Sequence, residues 1–454
     1  MTRTVLWFRR DLRLADHPAL VAAAQAGPVV ALFVLDPALR GPAGAPRIAF
    51  LYRCLRALDD SLGGRLVVRE GDPAEVVPAV AAEVGADEVH VSADFGPYGR
   101  ARDEAVEQAL AVAGRRLVRT GSPYVIDPGT VLKGDGDPFR VFSPFYRAWA
   151  GRARVHPVSA PAVRWVTGVA SNGLPAEAEV EPEVGAALPP AGEAAALARL
   201  DDFLAGPMSS YDIRRDEPAA DATTRLSPYL KFGCVHPRQI LDRLGRSKAQ
   251  EKLRSEVAWR EFYADVLWHR PESARHSLQP AMADMRLDAD ALADERFEAW
   301  AAGRTGYPLV DAGMRQLLGE AWVHNRVRLV VASFLVKDLH VDWTRGARWF
   351  LQHLVDGDLA SNNHGWQWVA GTGTDPAPYF RVFNPTTQAK EHDPGGAFIR
   401  RWVPELAGLR APQIFEPWKL AGGPPNGYPA PIVDHGEERA EALARYAEVR
   451  RRQG

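Results

Sequence analysis

A chain of 454 residues, 46% apolar and 25% charged, has room for two or three cores and the balance of an ordinary globular protein. With 55 Lys and Arg against 57 Asp and Glu, the net charge of −2 excludes a uniformly basic, histone-like chain and leaves room for a local basic groove. Two cysteines, Cys54 and Cys234, exclude a disulfide framework and fit a reducing cytoplasm; the opening MTRTVLWFRRDLRL lacks the apolar core of a signal peptide, and no apolar run reaches membrane-spanning length.

The first 125 or so residues alternate strand and helix patterns. TVLWF, PVVALFVLD, RLVVREG, DEVHVSAD and RLVRTGSPYVI read as strands. HPALVAAAQAG, PRIAFLYRCLRALDDSL, PAEVVPAVAAEVGA and ARDEAVEQALAVAG read as the intervening helices. Such alternation predicts a doubly wound, Rossmann-like, five-stranded parallel sheet over residues 1–127. The first strand runs into FRRDLRL and not into a Gly-rich turn, so no dinucleotide is implied there. Residues 128–194 have weak periodicity and a later part rich in Ala, Pro, Gly and Glu, the pattern of a connecting segment. From residue 195 to 454 the patterns are helical: EKLRSEVAWREFYADVLWH, LVDAGMRQLLGEAWV and HNRVRLVVASFLVKDLH are long amphipathic segments. Ten of the 13 tryptophans stand at Trp259 or later, which suits either a large helical core or aromatic surfaces for a planar ligand or stacked bases.

Four stretches carry candidate chemistry. Thr223, Thr224 and Ser227 surround Arg225, a set that suits a phosphate, or simply a capped helix start. Glu256, Trp259 and Arg260 share a helix face, as do Asn325, Arg328 and Leu329. A buried helical arginine needs an acid, and Asp356 and Asp358 follow; with no further ligand at metal spacing, they read as a polar site and not a metal site. Trp366 and Trp368, two apart, point in different directions if helical. Local basic residues, Arg214 to Arg246 and Arg326 to Arg348, read as solvated helix faces or as a phosphate-binding rim around an aromatic pocket.

Several of these anchors, in order, resemble the DNA photolyase and cryptochrome family, most closely its bacterial class I cyclobutane pyrimidine dimer photolyases: LWFRRDLRLADHPAL, TTRLSPYLKFG, AWREFYADVLWHRP, GRTGYPLVDAGMRQL, WVHNRVRL and DGDLASNNHGWQWVAGTGTD. The resemblance implies FAD in the helical domain. Tyr211, Thr223, Thr224, Arg225, Leu226 and Ser227 match its phosphate-binding positions; Asp356, Gly357 and Asp358 match positions around the ribose and flavin ring. Arg328 matches an arginine paired with the first acid, and Asn362 the residue beside flavin N5 in repair enzymes. Glu256, Trp259, Asn325 and Trp368 match the pocket for a flipped dimer, with Leu329 where a Met is common; Arg215, Arg260, Arg326, Arg381 and Gln388 match the DNA groove. The implied reaction is light-driven electron transfer from reduced anionic FAD to the extruded dimer, a carbon–carbon lyase reaction without a general base. The alternative on the same scaffold is a blue-light receptor without repair activity.

Trp366 and Trp343 match two members of the family's relay that reduces oxidised flavin; the third is missing, since no Trp lies between Trp268 and Trp300. For an antenna, Arg47, Asp94 and Lys231 match the 8-hydroxy-5-deazaflavin pattern, while Gly99 and Arg100 replace the Asn and Glu of folate binders and Gly96 replaces an acid. An empty site and a flavin antenna are the alternatives. The partner implied is UV-damaged DNA, met by a cytoplasmic monomer that associates with the nucleoid when bound.

Overall fold

The computed structural model describes residues 2–153, 156–180, 184–374 and 381–452. They form two compact units. The first gathers residues 1–184, 188–209 and 224–271; the second gathers 185–187, 210–223 and 272–454. These units follow packing and cut across the linear division read from secondary-structure type.

The first unit is built on five parallel strands in the order β3-β2-β1-β4-β5: β1 Arg3–Phe8, β2 Val29–Leu35, β3 Leu66–Glu70, β4 Ala86–Val91 and β5 Arg116–Arg119. All seven residues of β2 are buried, which is why its sequence is continuously apolar and not alternating. The crossovers are α1 Pro18–Ala26, α2 Ala45–Ser61, α3 Pro73–Glu83 and α4 Pro97–Val112. The expected sheet and its helices are therefore present. The basic run after β1 is bound internally. Asp11 accepts from Arg9 N and Ser92 Oγ, and Arg13 donates to the carbonyls of Asp16 and Gly233. Gly233 has φ +69°, and a Cβ there would lie 2.0 Å from the Arg10 carbonyl oxygen, so that approach needs glycine.

The stretch expected to be a connector does more than connect. It holds a helix, α5 Phe142–Arg152, with Phe142, Phe145 and Trp149 buried at i, i+3 and i+7. Residues 164–172 then run along the sheet: Val29 N bonds to Arg164 O, Val166 N to Val29 O, and Asn172 N to Val68 O. Part of an exposed sheet edge is thereby satisfied. The unit is completed by α6 Glu193–Ala205, α7 Ser227–Phe232 and the 22-residue α8 Lys248–His269, whose start is a capping box of Ser247 and Gln250.

The second unit is helical. Its main elements are α9 Pro308–Glu320, α10 Asn325–Ser333, α11 Trp343–His353, α12 Leu359–Ala370, α13 Pro385–His392 and α14 His435–Arg451. One core joins α9 to α13, with Trp300, Met314, Val331, Phe334, Phe350 and Trp366 all nearly water-free. The segment expected as one helix from His324 to His340 changes pitch: α10 passes into a π-helical turn, Phe334–Asp338, a form enriched at functional sites.

Candidate functional site

In the second unit, α10 and the turn before α12 bring Arg328 to Asp356. Arg328 Nη2 donates to Asp356 Oδ2 at 2.8 Å and Nε to the Val323 carbonyl at 2.8 Å. This is the pairing expected of Arg328, although it is the acid that is buried and the arginine only partly so. The other carboxylate oxygen, Asp356 Oδ1, is buried with no partner among the described residues. A lone acceptor of this kind is costly unless a ligand donates to it. Gly357 follows, and Asp358 caps α12 by accepting from Ser361 N at 3.1 Å. One turn on, Asn362 donates through Nδ2 to Ala347 O and to Asn363 Oδ1, which leaves its carbonyl oxygen as the remaining hydrogen-bonding atom. Tyr211, buried at the start of a short helical turn, and Thr223 also belong to this unit.

The two tryptophans of α12 separate as expected. Trp366 is buried, edge-on to Phe350 (centroids 5.1 Å apart) and Trp300 (6.1 Å); Trp368 is only partly buried. Gly346 on α11 makes room for Trp366, since a Cβ there would lie 2.2 Å from the indole. Trp343 opens α11 with its Nε1 on Ser277 Oγ. Asn325 is exposed in the first turn of α10, and Leu329 packs against the core.

Of the expected groove residues, Arg326 donates to Asp216 at 3.1 Å, and Arg215 lies 3.9 Å from the same carboxylate. The Arg326 and Arg215 charges hold Asp216 below the usual carboxylate range, against the upward pull of burial. Arg381 is exposed; its carbonyl accepts from the buried ammonium of Lys337. Gln388 is buried, with Nε2 on Glu391 and Oε1 unpartnered among the described residues. Two members of the supposed basic rim are interior: Lys337 is 4% exposed, and Arg238 is 7% exposed against Asp16.

The first unit carries the rest. Before α7, Thr224 Oγ1 accepts from Leu226 N, Arg225 has φ +50°, and Ser227 is the first helical residue. The N-cap residue, Leu226, makes no side-chain cap bond. On α8, Glu256 pairs with Lys252 at 3.2 Å. Trp259 stacks on Phe142, centroids 3.7 Å apart and planes 9° from parallel. Arg260 donates to the carbonyls of Pro123 and Leu230 and lies over Tyr124. Behind that face, buried Glu261 accepts from Val125 N, Ile126 N and Trp149 Nε1. Asp94, after β4, pairs with Arg102 at 3.2 Å; burial alone would raise it, but Arg102, Arg10 and Arg9 hold it at about 2. Arg47, on α2, and Lys231, on α7, are partly exposed.

Two family models match: "DNA photolyase" over residues 4–162 and "FAD binding domain of DNA photolyase" over residues 253–448. The chain belongs to the DNA photolyase family. A deoxyribodipyrimidine photo-lyase of Streptomyces griseus is 45% identical over 97% of this chain and 98% of its own. A bacterial class III photolyase from Agrobacterium tumefaciens has a matching structure, with a TM-score of 0.91 and 36% identity over 99% of this chain and 98% of its own. An archaeal photolyase from Sulfolobus tokodaii, solved with two FAD molecules, matches with a TM-score of 0.84 and 31% identity over 98% of this chain and its own full length. For a photolyase, the orphaned Asp356 oxygen and the acceptor left on Asn362 fit FAD as the ligand of this unit.

Phe142, Asp216, Glu261 and Gly346 escaped the sequence reading. Phe142 had a signal in its spacing with Phe145 and Trp149. Asp216 had none, being 110 residues from Arg326.

Proposed function

We propose that this chain binds UV-damaged DNA at a cyclobutane pyrimidine dimer and splits the dimer with light. The observation that carries the reading is the end-to-end likeness to a deoxyribodipyrimidine photo-lyase at 45% identity. Bound FAD, in its reduced anionic form, supplies the photoexcited electron. Arg328 and Asp356 hold the flavin end, with Gly357, Asp358 and Asn362 around it. Tyr211, Thr223, Thr224, Arg225, Leu226 and Ser227 hold the phosphates. Asn362 presents an oxygen and no charge near the ring. Trp259 and Trp368 stack on the extruded bases and exclude water, while Glu256 and Asn325 hydrogen-bond base edges and Leu329 packs beside them. Arg215, Arg260, Arg326, Arg381 and Gln388 serve the DNA strand. Trp366 and Trp343 carry electrons inward when the cofactor is oxidised.

Arg47, Asp94 and Lys231 hold an antenna of the 8-hydroxy-5-deazaflavin type. Residues 1–127 form the antenna domain, 128–194 the connector and 195–454 the catalytic domain. The protein works as a cytoplasmic monomer, meeting the nucleoid through its substrate; no helix among the described residues is long and apolar enough to cross a membrane. Reduced protein mixed with a dimer-containing oligonucleotide tests the reading: dimers disappear under near-UV or blue light and persist in the dark. Equal loss in both overturns it.

A further inference from the structure

We propose that Phe142 is a positioning residue for the lesion pocket: it caps one face of the Trp259 indole, so that a single, fixed face is offered to an extruded base. The proposal rests on the reading that Trp259 stacks on the dimer. The two rings form a near-parallel sandwich, 3.7 Å between centroids at 9°. Aromatic pairs prefer offset or edge-to-face arrangements, because facing π clouds repel. A parallel sandwich at this distance therefore needs neighbours that hold it.

Those neighbours lie along α5 and α8. Phe145 packs on Phe262 with centroids 5.1 Å apart, and Trp149 Nε1 donates to Glu261 at 2.6 Å. Glu261 is 2% exposed and is also tied to the amides of Val125 and Ile126. These two attachments, one helical turn apart on α5, fix the register of α5 on α8 and with it the place of Phe142. Phe142 is 7% exposed, so it offers little surface to DNA itself; Trp259 stays partly exposed. The cap removes rotamers that the indole would otherwise lose on binding, and it denies the second face to other bases. Both effects favour a ligand that enters from one side, and preorganisation of this kind appears as affinity.

The test compares Phe142→Leu, Phe142→Ala and Phe142→Trp with Trp259→Ala. Dark affinity is measured for a dimer-containing oligonucleotide and for its undamaged counterpart, with near-UV circular dichroism of the free proteins. Phe142→Leu keeps an apolar side chain in the core while removing the flat cap. The Leu and Ala variants should bind the dimer about three- to tenfold more weakly. Their affinity for undamaged DNA should stay unchanged, their tryptophan dichroism should fall, and Phe142→Trp should restore both. A purely structural phenylalanine would not change the ratio of damaged to undamaged binding. If Trp259→Ala weakens dimer binding and Phe142→Leu does not, the proposal falls and the reading of Trp259 stands. If Trp259→Ala binds the dimer like the parent, both fall.

Discussion

Arg328 and Asp356 form an unequal pair: the Arg328 side chain is 26% exposed, whereas that of Asp356 is 3% exposed and has one oxygen unpaired among the described residues. Removing the arginine strands a carboxylate in the core, a loss of about 3–5 kcal/mol for a buried pair broken on one side. Arg328→Met should therefore lower the urea midpoint sharply. Combining it with Asp356→Asn should recover much of the loss, because no buried charge remains. Flavin content should stay low in both, since the acceptor proposed to face the cofactor is disturbed. Equal instability of the single and double variants would show that the pairing is not what holds this region together.

Gly346 sets the seat of Trp366. An alanine Cβ would lie 2.2 Å from the ring and 2.6 Å from Leu335 Cδ2, so Gly346→Ala must displace one of them. Overpacking of this kind costs about 1–3 kcal/mol. The near-UV dichroism of the variant should change. Light-driven reduction of oxidised flavin should slow, while repair by chemically reduced enzyme stays near the parent rate. Unaltered photoreduction would remove Trp366 from the inward electron route.

The sheet was legible because parallel strands buried on both faces must be written in Val, Leu, Ile and Phe, as β2 is. Long helices were legible from their apolar spacing, although it does not show that Ala264–Leu267 of α8 and Pro308–Met314 of α9 are buried all round. The π-helical turn was not, because Phe334–Asp338 continues the apolar pattern of α10 while changing only its hydrogen-bond step. The site was legible as residue types through family likeness, and least legible as pairings. Lys337 looks like a rim charge in sequence; only the fold shows it buried and bound to the Arg381 carbonyl. A long-range partner leaves no local trace, which is also why Arg326 read as free for phosphate.

If Arg326 serves the DNA strand as proposed, Asp216 competes with phosphate for it. The pair is about one-fifth exposed on the arginine and one-third on the acid, so it is screened and contributes little to stability. Its effect belongs to binding. Asp216→Asn should tighten binding of damaged and undamaged DNA alike. Arg326→Gln should weaken both and reduce the slope of log K against log salt by ~0.9, the value of one lost contact on duplex DNA. A lesion-specific change, or an unchanged slope, would place Arg326 away from the backbone. Titrations at three or more salt concentrations separate these outcomes.

Glu261 supplies a pH test of the α5–α8 attachment. Burial pushes its carboxyl up to about 7, the bonds from Val125 N and Trp149 Nε1 and the Arg260 charge offsetting this only in part. An unfolded glutamate titrates near ~4.3, so between the two values the folded protein holds a proton that the unfolded chain has released. Stability must then fall as pH rises across that window: the contribution is complete below the unfolded value and is lost as pH passes through the folded one. At its steepest the slope is about 1.4 kcal/mol per pH unit. Glu261→Gln cannot titrate and has one acceptor oxygen where three N–H groups converge. It should be less stable than the parent at pH 5, and the gap should narrow by pH 8. Other titrating groups are common to both proteins and cancel in the difference. Denaturation curves that stay parallel from pH 5 to 8 would mean that Glu261 ionises without hindrance, and that the packing of Phe145 on Phe262 and of Phe142 on Trp259 holds α5 in place.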